Sequence, residues 1–212
     1  CMETQEGHCY LIDGGSTSVN ELEQYRISPC LKSKGISCID YAIITHMDED
    51  HVSGITSLLE KNHTPGSIHV KKLIVPNTSM RDEAFEAVVQ LAKEQKVTVM
   101  YFQKGDKLID GELAFTCMHP YYGFTTQERN DYSIVLYMKF KNFSMLFTGD
   151  VANEGEQALI NNPNLPSCDI YKVAHHGSKY SSSSAFCQAT GAKYGVICVG
   201  AGNTYGHPTS TA

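Results

Sequence analysis

Apolar runs such as Tyr41-Ala-Ile-Ile44 and Val196-Ile-Cys-Val199 fall far short of the ~20 residues needed to span a bilayer. No stretch reads as a membrane segment or a signal peptide. Basic residues are scarce: Lys plus Arg number 17 against 23 for Asp plus Glu, a formal charge of -6. That balance excludes capture of nucleic acid by a bulk positive field and leaves only local groups or metal ions for the task. There is no Cys-x-x-Cys pair, which argues against a structural zinc ribbon. The eight cysteines therefore read as mostly free and buried thiols. Cys9, Cys117, Cys168 and Cys198 lie in or beside apolar, strand-like runs, where a reduced cysteine acts as a small hydrophobe. Such usage suits a reducing compartment or an anaerobe. Apart from Ser181 to Ser184 there is no low-complexity segment, and no linker. With 212 residues, 42% hydrophobic and 19% charged, the chain reads as one globular domain over 1–212.

The pattern alternates strands and helices. Cys9 to Asp13 reads as a strand broken by Gly14-Gly15, which permit a tight turn. Val19 to Lys34 is helical but carries Pro29, so two short helices are predicted. Tyr41 to Thr45 is a buried strand, followed by a helix from Ser53 to about Lys61. Lys72 to Val75 is a strand stopped by Pro76. Met80 to Glu94 is an amphipathic helix with Ala84, Val88 and Leu91 on one face. Strands are predicted at 97–102, 106–109 and 112–118, with Asp110-Gly111 as a hairpin turn. A second hairpin joins 132–140 to 143–147 around Lys141-Asn142. A helix near 153–160, a strand at 169–174, a helix starting near Ser178 and a last strand at 194–199 complete the order. Two strand-rich halves, each with helices, fit two sheets packed face to face with helices outside.

The sharpest feature is Thr45-His46-Met47-Asp48-Glu49-Asp50-His51, where a buried strand ends. Crowded carboxylates repel one another and are costly without a cation. With His46 and His51 at its ends, the cluster reads as a metal loop rather than a solvated acidic turn. Phe147-Thr-Gly-Asp150 ends another strand with a glycine and a carboxylate suited to bridging two metals. Val173-Ala-His175-His176-Gly177-Ser178 ends a third with two histidines. Gly202-Asn203-Thr-Tyr-Gly-His207-Pro208 is a polar loop after the last strand. Ligand sites gather where several strands end, so these clusters are expected to serve one centre. His8, His63 and His69 sit in polar stretches and read as surface residues.

These motifs resemble the metallo-β-lactamase superfamily, whose signature is a His-x-His-x-Asp-His loop followed by a distant His, Asp and His. Here Asp48 stands for the second histidine. Asp13-Gly-Gly, the His-x-Asp-x-Asp-His variant, Leu146-Phe-Thr-Gly-Asp150, His175-His-Gly-Ser-x-x-Ser-Ser182 and Asn203-x-Tyr-Gly-His-Pro208 are similar to the hydrolase domain of ComEC-type competence proteins. Those are membrane channels for DNA uptake. Asp48 and the paired His175-His176 depart from the β-lactamase branch itself. The strand with a Gly-Gln-Gly-Asp-like motif that opens this domain in the family has no counterpart here. The chain accordingly reads as a fragment of a larger membrane protein. For the superfamily's separate middle histidine, His119 and Asn130 are alternatives.

The resemblance implies a four-layer αββα sandwich, apparently without its first strand, and two divalent ions, Mn²⁺ or Zn²⁺. His46 and Asp48 serve one metal, Asp50 and His51 the other, with Asp150 between and His175 or His176 on the second. Asp50, His175 and His207 are the catalytic candidates. Ser178, Lys179, Ser181 and Asn203 are expected on the phosphate, at a helix start whose N–H groups favour anions. The implied activity is metal-assisted phosphodiester hydrolysis, with nuclease action on DNA during uptake as its leading form. A phosphodiesterase for another envelope substrate, such as a phosphocholine ester, and a non-catalytic DNA-gripping module are the alternatives. The implied partners are single-stranded DNA, the membrane channel of the same polypeptide and other competence proteins. The implied place of the domain is the outer face of the cell membrane, itself soluble.

Overall fold

The computed structural model describes residues 1–210, which fall into two compact units. The first comprises Cys1–Val75 with Arg81–Tyr101, and the second Pro76–Met80 with the chain from Phe102 onward.

In the first unit β1 (Met2–Glu3), β2 (Cys9–Ile12), β4 (Tyr41–Ile43), β6 (Lys72–Pro76) and β7 (Thr98–Phe102) form one sheet in the order β1-β2-β4-β6-β7. β2, β4 and β6 are parallel, and β1 is antiparallel to β2 with Met2 opposite Tyr10. The two-residue β1 therefore covers the outer side of β2. β3 (Cys38–Ile39) and β5 (His69–Val70) make a separate parallel pair. α1 (Ser28–Ser33), α2 (Glu49–Glu60) and α3 (Glu83–Glu94) cover the sheet. Their Leu31, Ile55, Leu58, Leu59, Phe85, Val89 and Ala92 share a core with Leu11, Ala42, Ile44, Leu73 and Val75. Each fully buried Leu, Ile, Val or Phe among them contributes about 1.5–3 kcal/mol. On the opposite sheet face Tyr10, Ile43 and Ile74 are also buried, as parallel strands require.

Three local expectations are corrected here. A π-helical turn at Glu23–Ile27 runs straight into α1, because Pro29 sits in the first turn, where its missing N–H costs nothing. α3 starts at Glu83, capped by Asp82, which accepts from Phe85 N at 2.9 Å. Its buried face is Phe85, Val88, Val89 and Ala92, one step round from the face read in the sequence, and Ala84 is exposed. α2 starts at Glu49 rather than Ser53, so half of the acidic motif is helical.

In the second unit β8 (Lys107–Asp110), β9 (Leu113–His119), β10 (Val135–Phe140), β11 (Phe143–Phe147), β12 (Ile170–Lys172) and β13 (Tyr194–Val196) form a sheet in reverse order, β13 to β8. β8 to β11 are antiparallel neighbours, joined by the two expected hairpins, while β11, β12 and β13 are parallel. α4 (Asn153–Ile160) and α5 (Ser184–Thr190) supply Leu159 and Phe186 to a core with Val135, Leu146, Tyr171 and Val173. α5 begins at Ser184, not near Ser178, because Ser183 is the residue that caps it, accepting from Phe186 N.

All eight cysteines are free. Cys9, Cys117 and Cys168 are buried as read, and burial pushes the Cys9 and Cys168 thiols up to about 11. Cys198 is exposed, contrary to expectation. Among the described residues no helix is long and apolar enough to cross a membrane.

Candidate functional site

In the first unit the motif is organised by Asp13, whose role is not legible in the sequence. It follows β2 in the left-handed region, φ 51°, a costly conformation for a non-glycine residue. Its carboxylate, half-buried, faces three donors. Oδ1 accepts from Thr45 N at 2.8 Å; Oδ2 accepts from Thr45 Oγ1 at 2.8 Å and from His51 Nδ1 at 2.9 Å. Burial works against its charge, but the His51 imidazole and the bonds from His51 and Thr45 outweigh it and hold the carboxyl below the usual range.

This network assigns two tautomers. Thr45 gives its only proton to Asp13, so its oxygen accepts from His46 Nδ1–H at 3.2 Å. His51 likewise places its Nδ1 proton on Asp13. Both rings, 4.2 Å apart between centroids, therefore carry their lone pair on Nε2, the atom a metal takes. His46 Nε2 is buried and, among the described residues, has no hydrogen-bond partner. Asp48 Oδ2 lies 3.6 Å from it. Asp48 occupies the N-cap of α2 yet makes no capping hydrogen bond, although aspartate is among the best capping residues. Asp50 in the first turn brings Oδ2 to 3.9 Å from His51 Nε2. A buried, unbonded imidazole nitrogen with carboxylates beside it suits a divalent cation.

Gly14 and Gly15 are not needed for a positive φ. A Cβ on Gly15 would lie 2.4 Å from Glu49 O and 2.5 Å from His51 N, and one on Gly54 would lie 2.1 Å from Gly14 O. The glycines let the chain after β2 touch the first turn of α2, which is what brings Asp13 onto His51.

In the second unit Asp150 follows β11 and Gly149, its N–H donating to Ser133 Oγ at 3.1 Å. His176 Nε2 stands 3.2 Å from Asp150 Oδ2, and His176 Nδ1 donates to Cys198 O at 2.6 Å. A ring held at Nδ1 by a carbonyl again presents Nε2 as the donor atom. His175 faces elsewhere: its Nδ1 is 3.5 Å from Asn130 Nδ2, and its ring is 5.9 Å from that of His207. Both histidines have positive φ, 47° and 54°, backbone strain of the kind that collects at functional sites. Lys172, missed in the sequence, donates to Gly149 O at 2.9 Å and lies 3.5 Å from Asp150 Oδ1. A lysine within an otherwise apolar strand was the signal that it faces something charged.

The expected phosphate cradle is corrected. Glu156 of α4 is buried and accepts from Ser182 N at 2.6 Å and Ser183 N at 3.0 Å, so those N–H groups are taken by the protein's own carboxylate. Ser178 is buried, and Ser181 Oγ is turned onto Ala174 O and Ser178 O. Asn203 braces its own loop, donating to Gly200 O and His207 O and accepting from His207 N. Lys179 is exposed, with Nζ 4.9 Å over the Tyr180 ring.

Of the two middle-ligand alternatives, Asn130 stands beside His175, while His119 is a buried structural residue. Its Nε2 donates to Asp131 O at 2.7 Å and its ring packs on Phe124. Burial lowers its pKa from 6.5 to about 4. A neutral His119 favours the fold fully above pH 6.5, and that contribution fades as pH falls toward about 4. The loss is on the order of 3 kcal/mol. Denaturant unfolding at pH 7 and pH 4.5 should show a clearly smaller difference for His119→Gln than for the wild type. Equal differences would remove His119 as the source.

Residues 2–201 match the family model of the metallo-beta-lactamase superfamily. The chain is 35% identical over 211 residues to ComE operon protein 3 of Bacillus subtilis, a match covering 93% of this chain and 26% of that protein. It is 26% identical over 202 residues to competence protein ComA of Neisseria gonorrhoeae, covering 94% of this chain and 25% of that one. The chain thus spans about a quarter of the length of these curated relatives. Among solved structures it resembles the metallo-beta-lactamase fold protein YhfI of Bacillus subtilis. The TM-score is 0.54 at 16% identity, over 92% of this chain and 78% of that one, which shows a common fold.

Proposed function

The chain belongs to the metallo-beta-lactamase superfamily, and from that premise we propose that it is a metal-dependent phosphodiester hydrolase, a nuclease degrading DNA during competence-related uptake. The observation that carries the metal-dependent part is His46 Nε2, buried and without a hydrogen bond, in a network that fixes its tautomer. The likeness to a competence protein supports DNA as substrate, and single-stranded DNA is the form proposed here. In this reading the domain is tethered to a membrane channel at the outer face of the cell membrane, beside other competence proteins.

His46 and Asp48 would hold one divalent ion, Asp50, His51 and His176 a second, and Asp150 would be shared. When bound, such ions supply Lewis acidity and activate water at neutral pH. The protein's own residues do the rest. Asp13, through Thr45 and His51, keeps both imidazoles in the ligating tautomer. Lys172 offsets the buried charge of Asp150 and fixes the Gly149 carbonyl. His175, whose Nδ1 faces the Asn130 amide nitrogen, holds its proton on Nε2, where it can be given to a leaving oxygen. A module that only gripped DNA would have no use for this donor set.

The test is cleavage of end-labelled single- and double-stranded DNA, with a phosphomonoester for comparison, after chelation and reloading with Mn²⁺, Zn²⁺ or Mg²⁺. Single-stranded DNA is the expected best substrate. Asp48, Asp50 and Asp150 make the donor set rich in oxygen, so the fastest rate is expected with Mn²⁺, even though Zn²⁺ binds more tightly by the general order. Asp48→His should shift the preference toward Zn²⁺. An unchanged ranking in the mutant would show that Asp48 does not set metal choice.

A further inference from the structure

We propose that Tyr205 is a base-stacking residue, which makes this site specific for single-stranded nucleic acid strands that carry bases; the inference deepens the nuclease reading and rests on it. Tyr205 is 74% exposed, in the loop that follows the last strand. Its ring lies nearly parallel to that of His207, at 16° and 6.1 Å between centroids. His207 in turn stands 5.9 Å from His175, the proposed proton donor. An aromatic face open to solvent therefore continues a line of rings that ends at the chemistry.

The loop is built to hold that face still. Asn203 ties Gly200 and His207 across it with three hydrogen bonds, and Thr209 N donates to Gly177 O at 2.9 Å, fastening it to the histidine turn. An amide braced in this way spends its polar groups on presentation of the loop, not on a phosphate. A tyrosine of ordinary surface character has no need of such bracing. His207 Nδ1 is buried and, among the described residues, has no hydrogen-bond partner, so the ring under Tyr205 retains a polar edge beside the stack.

Charge makes stacking the fitting source of affinity. At a net charge of -6 the protein cannot gather polyanions by its overall field. Aromatic faces bind bases whatever their sequence, and the loss of one costs about ten-fold in affinity. A duplex keeps its bases stacked on one another and cannot offer one to Tyr205, so the preference is for single strands.

The test measures binding by fluorescence anisotropy, and KM and kcat by cleavage, on a labelled single-stranded oligonucleotide and on an abasic strand of equal length. For the base-bearing strand Tyr205→Ala is expected to weaken binding and raise KM about ten-fold, with kcat little changed, while Tyr205→Phe matches the wild type. On the abasic strand all three proteins should bind alike. If the wild type binds both strands equally, or Tyr205→Ala loses nothing on the base-bearing strand, the inference is overturned. Base-dependent binding lost in Tyr205→Ala but accompanied by no cleavage in any protein would instead overturn the nuclease reading and leave the stacking site standing.

Discussion

Asp150→Ala is expected to abolish hydrolysis while leaving the domain folded. The side chain is buried, and its neighbours in its own unit are His176 at 3.2 Å and Lys172 at 3.5 Å. Both neighbours keep other anchors when it is removed: His176 still bonds Cys198 O, and Lys172 still bonds Gly149 O. The turn keeps its backbone bond to Ser133. The fold therefore loses little, while the ligand that the two-metal proposal has both ions share is lost outright. Turnover should fall about a thousandfold or more, beyond the 10–100-fold typical when only an outer partner of a ligand is removed. Melting and circular dichroism would establish folding, and metal content would establish loading. A folded, metal-loaded mutant with near-normal turnover would contradict the two-metal reading.

Asp13→Asn should cost about 10–100-fold in metal affinity through a residue that touches no metal in this reading. Every group facing the Asp13 carboxylate is a donor: Thr45 N, Thr45 Oγ1 and His51 Nδ1. An amide has one acceptor oxygen and one donor nitrogen. With its oxygen toward Thr45 N, which can only donate, its NH₂ faces Thr45 Oγ1 and His51 Nδ1, so one of those two donors must reverse its role. If His51 does, its proton moves to Nε2 and the ring can no longer ligate. If Thr45 Oγ1 does, its proton is free to turn toward His46 Nδ1, and nothing then fixes that ring's tautomer. Calorimetric titration of Zn²⁺ or Mn²⁺ into the chelated mutant measures the effect. Wild-type affinity would show that the histidines need no such control.

Much of the candidate ligand set was legible because its residues are consecutive in the chain. His46 to His51, Gly149-Asp150 and His175-His176 each carry their meaning locally, at strand ends that the apolar pattern marks. What escaped was long-range. Asp13 acts on Thr45 and His51 from more than thirty positions away, and nothing near it in the chain reveals three donors. The phosphate cradle failed for the same reason. The helix start expected near Ser178 lies at Ser184, and the N–H groups of Ser182 and Ser183 before it are filled by Glu156, in a different helix. The start of α2 was misplaced because apolar periodicity begins only at Val52, whereas the backbone turns helical at Glu49, directly after Asp48. The face of α3 is set by Phe85 and Val89 beside Val88, larger and more apolar than Ala84, and its start by the Asp82 cap. The Gly14-Gly15 pair answers to close contact with α2, which no local turn signal encodes.

The central claim is that this chain binds two divalent ions and needs both. Its most direct test is a titration of the chelated protein with Mn²⁺, following bound metal and cleavage of a 5′-labelled single strand in the same samples. Two equivalents per chain are expected, with turnover rising as the second binds. One equivalent at saturation, or full turnover with one, would contradict the claim.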